Sequence, residues 1–333
     1  MQFTSSTLLV ALLAVSPFTT LIYAQQVSNL RGARQLEEDG TAATTTQRST
    51  KCGVATTLLN DQVLKELDDA GGLAFYTGWN SQPKLSLDPS STGMKFVSWA
   101  NTPDGKWNGP PAGGSISTLL LGVNEPDGDT SGGSDPIGPE AYADLWPGIV
   151  DNARNKGYTE FAGPQLASSI HDPSHPGKGL DWQVRFMTKL DQKLDALGVD
   201  DNDKSNYLTY VSYHVYEPNC NGDPKFIVNT FYQDEMNAWK AALAQWWTKY
   251  EIEGFVLSEF AGSPASEQCD VDGQMKMARD VLPLVLGMQD VKHVAWFSAP
   301  SMGRDINNNA QYLWNENSLT EVGKEYLKTC SRY

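Results

Sequence analysis

Cysteine and histidine are scarce in this chain of 333 residues, with four of each. No two cysteines stand close together and the histidines are scattered, so the ligand spacing of a structural zinc site is missing. Basic residues are also few: 25 Lys and Arg stand against 40 Asp and Glu, for a formal charge of −15. That balance argues against nucleic acid and anionic membrane surfaces as partners. Long hydrophobic runs are missing too. Thr7 to Val15 is unbroken but too short to span a bilayer, and no later stretch reaches the required length. No Gly-rich phosphate loop follows the first strand-like segment, where Thr57-Leu58-Leu59 stands instead. Asn101-Thr102-Pro103 does not match the Asn-X-Ser/Thr acceptor, and no N-glycan is expected.

What is present begins with Met1 to Ala24, a short apolar segment that ends in a small residue before Gln25. It reads as a secretory signal peptide, so the mature chain is expected to be extracellular and free of membrane. Residues 25–50 are rich in Thr, Ala and Gln and read as a disordered leader. Within it, the arginine pair and acidic cluster of Leu30 to Asp39 read as a solvated spacer. Residues 51–333 contain no second linker and form one expected domain, a length normal for an α/β barrel.

Eight apolar segments alternate with helical patterns along that domain. The expected strands are Lys51 to Thr56, Leu73 to Trp79, Lys95 to Ala100, Ser117 to Val123, Glu160 to Gly163, Tyr207 to Val215, Gly254 to Ser258 and His293 to Phe297. The expected helices are Asn60 to Asp69, Pro139 to Lys156, Leu180 to Leu197, Lys225 to Tyr250, Gln274 to Leu286 and Ser318 to Lys328. Pro147 is expected to bend or break the second of these. Strands alternating with helices imply a parallel sheet, and eight units imply a closed (β/α)8 TIM barrel. A doubly wound open sheet is the runner-up. In the barrel, Cys52 opens strand one while Cys330 ends a last helix that returns beside it. Cys220 and Cys269 follow the neighbouring strands six and seven. The pairs Cys52–Cys330 and Cys220–Cys269 follow from that arrangement.

Two apolar runs end in a carboxylate. Leu119-Leu120-Leu121-Gly122-Val123-Asn124-Glu125-Pro126-Asp127 delivers Glu125, and Gly254 to Gly262 delivers Glu259. Barrel active sites form at the C-terminal ends of strands, and paired carboxyl groups are what glycoside hydrolysis requires. Asn124 is placed to bond a sugar 2-hydroxyl. Tyr213 and His214 are successive residues of one strand, so only one of them should face inward. Trp296 is a candidate floor for the site, and Trp79 and Trp99 are candidate stacking platforms for neighbouring sugars. Trp246 and Trp247 read as helix packing, and Asp127 and Glu217 as solvated loop residues.

Leu121 to Asp127, Tyr213-His214-Val215-Tyr216, Leu257-Ser258-Glu259-Phe260-Ala261 and Ala295-Trp296-Phe297 together resemble glycoside hydrolase family 128, within the retaining clan A. They occur in the family's order, across roughly Lys51 to Cys330. Ser258 stands where the family has Thr, and Val215 where it has Trp. The resemblance implies a retaining endo-β-1,3-glucanase with Glu125 as acid/base and Glu259 as nucleophile. It places Tyr213, His214 and Tyr216 at the glucan site and implies no cofactor and no metal. A monomer acting on β-glucan is expected. The alternatives are a hydrolase of another β-glucan and a non-catalytic glucan-binding or host-facing protein on the same barrel.

Overall fold

The computed structural model describes residues 49–56, 61–82, 93–101, 106–128, 136–167, 177–263, 266–298, 312–315 and 318–333. The described residues belong to one compact unit, Thr46–Tyr333. The signal-peptide reading and almost all of the leader lie outside the described residues. Ser49 already belongs to the fold: it is buried, and its hydroxyl accepts the Lys51 and Cys52 amides at 3.0 Å.

Eight parallel strands close a barrel in sequence order. They are β1 (Cys52–Ala55), β2 (Phe75–Thr77), β3 (Lys95–Trp99), β4 (Ile116–Leu121), β5 (Glu160–Leu166), β6 (Tyr210–Glu217), β7 (Gly254–Gly262) and β8 (Val291–Phe297). The (β/α)8 expectation holds. Side chains alternate across each strand. Ala55, Phe75, Val97, Trp99, Leu119, Leu121, Ala162, Val256 and Ala295 fill the interior. Val54, Tyr76, Phe96, Leu120, Phe161, Val211, Leu257 and Trp296 face the surrounding helices in a second, larger core. Leu119-Leu120-Leu121 therefore serves both cores, which is why β4 reads as a continuous apolar run.

The helices include α1 (Asp61–Ala70), α2 (Pro139–Arg154) and α3 (Gly179–Ala196). Pro147 does not break α2: Tyr142, Trp146, Ile149, Val150 and Ala153 are buried along it, and their packing outweighs one missing backbone bond. The expected helix over Lys225 to Tyr250 is a series of pieces, α4 (Pro224–Ile227), a π-helical turn (Val228–Gln233), α5 (Asp234–Ala242) and α6 (Ala244–Lys249). Trp246 and Trp247 sit on α6, and Trp247 packs on Phe255 as a structural contact. The segment after β7 runs through α7 (Val271–Lys276), a second π turn (Met277–Val281) and α8 (Leu282–Leu286).

The last helix, α9 (Glu321–Cys330), starts later than expected. Ser318–Leu319 instead pair antiparallel with Trp314–Asn315, and Thr320 caps the helix by accepting the Gly323 amide at 3.0 Å. Strand six also starts later than Tyr207. Residues Asp201–Tyr207 form a 3-10 turn, held by the buried ammonium of Lys204 between Asp191 at 2.8 Å and Asp201 at 3.0 Å. Cys52–Cys330 and Cys220–Cys269 are both bonded, as the barrel order required. Among the described residues no helix is long and apolar enough to cross a membrane.

Candidate active site

After β4 the chain passes through Gly122, where an added Cβ would lie 2.4 Å from the Gly163 carbonyl oxygen. Only glycine permits this close approach to β5. Beyond it, the Glu125 amide donates to Gln165 O at 2.8 Å, which fixes the backbone just past the strand. Glu125 has φ of +43°, in the left-handed region that non-glycine residues seldom adopt. Its side chain remains 20% exposed at the barrel mouth.

Glu259 lies within β7 and not beyond it, because the strand continues to Gly262. Its side chain is 5% exposed. A register shift between Tyr213 and His214 brings His214 level with Glu259. Such irregularities re-aim side chains beside functional sites. His214 Nδ1 lies 3.0 Å from Glu125 Oε1 and 3.3 Å from Glu259 Oε2. Trp79 Nε1 donates to Glu259 Oε1 at 2.6 Å, and the Tyr216 hydroxyl donates to Glu259 Oε2. Each oxygen of Glu259 thus has its own donor.

Burial pushes the Glu259 carboxyl above its ordinary range, and the Glu125 charge adds to this. The imidazole of His214 and the donors Tyr216 and Trp79 pull the other way. Burial would lower His214, but the charges of Glu259 and Glu125 outweigh it and hold the imidazole above its ordinary value. His214 Nδ1 thus lies in contact with both carboxyl groups at once. Glu125, His214 and Glu259 each offer one donor atom within 4.8 Å of the others, the spacing at which a metal ion could also be held.

Residues 53–326 match the family model described as glycosyl hydrolase catalytic core. The chain belongs to that family. No curated protein matches this glycosyl hydrolase. Among solved structures, it resembles a family 128 subgroup III curdlan-specific exo-β-1,3-glucanase from Blastomyces gilchristii in complex with glucose. The identity is 22%, the TM-score 0.58, and the match covers 83% of this chain and 97% of that one. A subgroup I endo-β-1,3-glucanase from Amycolatopsis mediterranei, in complex with laminarihexaose, is 19% identical with a TM-score of 0.57, covering 84% and 99%. A subgroup VII oligosaccharide-binding protein from Trichoderma gamsii is 16% identical with a TM-score of 0.56, covering 89% and 99%. The fold is the one these family 128 structures share.

Glu125, Glu259, His214, Tyr216 and Trp79 are brought together in the glycosyl hydrolase, and Asn124 adjoins them in a parallel bridge to Gln165. Three candidate site residues are not. Tyr213 faces outward and stacks on Trp239 with centroids 5.2 Å apart, so His214 is the inward member of that pair. Trp296 also faces outward, packed on Phe260 and Tyr326. Its neighbour Phe297 is the inward aromatic, 5.7 Å from Trp79 and 5.4 Å from Tyr216. Trp99 points inward but is fully buried, with its indole donating to Thr77, so it supports Trp79 and offers no open face to a sugar.

Asp127 and Glu217, expected to be solvated, are buried. Asp127 accepts the Ala167 and Gly179 amides at 2.8 and 2.9 Å, and Glu217 accepts the Asn219 amide at 2.8 Å. These bonds from backbone amides offset part of the cost of burying the two side chains. Phe297 is a site residue that the linear reading missed.

Tyr216→Phe tests the electrostatics. The hydroxyl bonds the charged form of Glu259, so its removal should raise the carboxyl further and move the acid limb of kcat/KM to higher pH. A loss of about 10-fold or more in kcat should accompany it. An acid limb that stays in place, or moves down, would contradict this account.

Proposed function

We propose that the chain is a retaining endo-β-1,3-glucanase of the family 128 type. The observation that carries this reading is the pair of carboxyl groups at the barrel mouth, with one oxygen of each within 4.8 Å of the other and both in contact with His214 Nδ1. Retaining glycosidases hold their carboxyl groups about 5–5.5 Å apart and inverting ones about 6.5–9.5 Å, so the spacing favours retention. Roles follow from surroundings. Glu259 has a donor on each oxygen, which suits a carboxylate that must attack as an anion. Glu125 is the more exposed of the two and suits proton exchange with substrate and water.

Glu125 protonates the glycosidic oxygen as Glu259 attacks the anomeric carbon, and the leaving sugar departs with that proton. Glu125, now a carboxylate, takes a proton from water as the water's oxygen displaces Glu259 from the anomeric carbon. The second displacement restores the original configuration. The two β-1,3-glucanase structures of the same fold favour β-1,3-glucan as substrate. Secretion, on the strength of the Met1 to Ala24 segment, is part of the same proposal, as is action as a monomer.

A binding-only protein is the second reading, prompted by the oligosaccharide-binding structure from Trichoderma gamsii. The paired and bridged Glu125 and Glu259 favour the enzyme, since binding alone requires neither. The test is reducing-end release from linear β-1,3-glucan by the full chain, with proton NMR of the first-formed product. Oligosaccharides of mixed length in the β configuration are expected. Glucose as sole product would replace endo by exo action, and an α product would overturn retention. Tight binding of laminarin oligosaccharides without turnover would establish the binder.

A further inference from the structure

Three described non-glycine residues have positive φ: Trp79 at +53°, Glu125 at +43° and Glu251 at +51°. Glu251 precedes β7, at the opposite end of the barrel. The other two are at the site, and one side chain touches the backbone on both sides. Asn101, half-buried just after β3, donates from Nδ2 to the Trp79 carbonyl at 3.2 Å. Its Oδ1 accepts the Asn124 amide at 3.0 Å. Asn124 directly precedes Glu125, whose own amide is held by Gln165 O. Trp79 in turn donates its indole N–H to Glu259.

From this chain of contacts we infer that Asn101 is a positioning residue, clamping the Glu125 turn to the Trp79 turn and so setting the acid/base against the nucleophile. The inference rests on the hydrolase reading for its kinetic consequence, not for its geometry. Strained backbone persists only where its surroundings over-determine it. At both turns Asn101 is one of the groups that do so. Its amide is suited to the task because it donates and accepts at once. Ala at this position loses both bonds, whereas Asp keeps the acceptor for Asn124 and loses the donor to Trp79. Asn101 touches neither carboxylate, so it acts through Trp79 and Asn124.

The experiment uses the full chain with 15N-labelled tryptophan. The Trp79 indole resonance is assigned by its disappearance in Trp79→Phe, and its bond to the nucleophile by its shift in Glu259→Gln. Asn101→Ala is expected to move the same resonance toward its position in Glu259→Gln. It should also reduce kcat about 10–100-fold on linear β-1,3-glucan with KM changed less than about 3-fold, because small misplacements of reacting groups cost rates of that order. Asn101→Asp should shift the indole as well, with a smaller loss of kcat. It replaces Asn101→Ala as the deciding variant if the latter does not fold.

An unmoved Trp79 resonance in a folded Asn101 variant would overturn the clamp, whatever the activity. A moved resonance with unchanged kcat would overturn its positioning role. If the wild-type chain hydrolyses no glucan, the hydrolase reading fails on that assay, while the indole resonance still decides whether the clamp exists.

Discussion

Glu259→Gln is expected to abolish hydrolysis of linear β-1,3-glucan, with kcat falling by at least about four orders of magnitude. The amide keeps the size of the carboxyl and can still accept from Tyr216 or Trp79, but it cannot attack the anomeric carbon as an anion. KM should change little, because Glu259 contributes to the reaction and not to the grip on remote sugars. Glu125→Ala should differ in kind. Loss of a general acid costs about 10²–10⁴-fold, and the deficit should shrink on an aryl β-glucoside whose leaving group needs no proton. Added azide should then restore turnover, since a small anion can enter in place of the activated water.

Swapped behaviour, with Glu259→Ala rescued on activated substrates and Glu125→Ala not, would exchange the two roles. Both variants retaining full activity would remove the carboxylate pair from the mechanism. A stability measurement runs alongside. The folded-state pKa of Glu259 lies above its unfolded value, chiefly through burial. Its contribution to stability is therefore fully present below the unfolded pKa and lost as pH rises through the folded one. At pH 7 the wild type bears the cost of a buried charge that Glu259→Gln lacks. The variant should therefore melt at a higher temperature than the wild type at that pH. The difference should narrow as the pH falls toward 4.

The barrel was legible because its strands are buried on both faces and stand out as aliphatic runs. The same property hid the facing of individual residues. A strand that is apolar on both sides carries no alternation to tell inside from outside. Trp296 and Phe297 are both large and aromatic, and only the barrel shows that Phe297 is the inward one. Tyr213 and His214 posed the same question, and the stacking of Tyr213 on Trp239 answers it. Glu125 and Glu259 were visible because each carboxylate interrupts or closes a hydrophobic run. Asn101 was not, since its two partners lie 22 and 23 positions away and no periodicity connects them. Buried Asp127 and Glu217 escaped for a related reason: their partners are main-chain amides, which any sequence supplies.

The largest loss of stability is expected from Cys52→Ser with Cys330→Ser. This bond joins residues 278 positions apart, against 49 for Cys220–Cys269. On the chain-entropy account, stabilisation rises with the logarithm of the loop, which places the longer bond near the upper end of about 2–5 kcal/mol. It exceeds the shorter one by roughly 1.5 kcal/mol on the same account. The longer bond also ties the last helix to the first strand, where Tyr326 donates its hydroxyl to Gly53 O at 2.6 Å. Without it, α9 can leave β1, and Trp296 loses its cover. Thermal unfolding should shift down by roughly 10 °C or more. Well below that transition kcat should be nearly unchanged, because the bond lies at the end of the barrel away from the carboxylates.

Cys220→Ser with Cys269→Ser should show the opposite balance. Cys220 Sγ packs where a Cβ on Gly262 would meet it at 2.2 Å, at the end of the strand that carries Glu259. Relaxing that end should lower kcat more than it lowers the melting temperature. Calorimetry and initial rates on the two double variants decide the matter. Equal melting shifts would remove the loop-length argument, and a loss of kcat in folded Cys52→Ser/Cys330→Ser would mean that the far end of the barrel also governs the site.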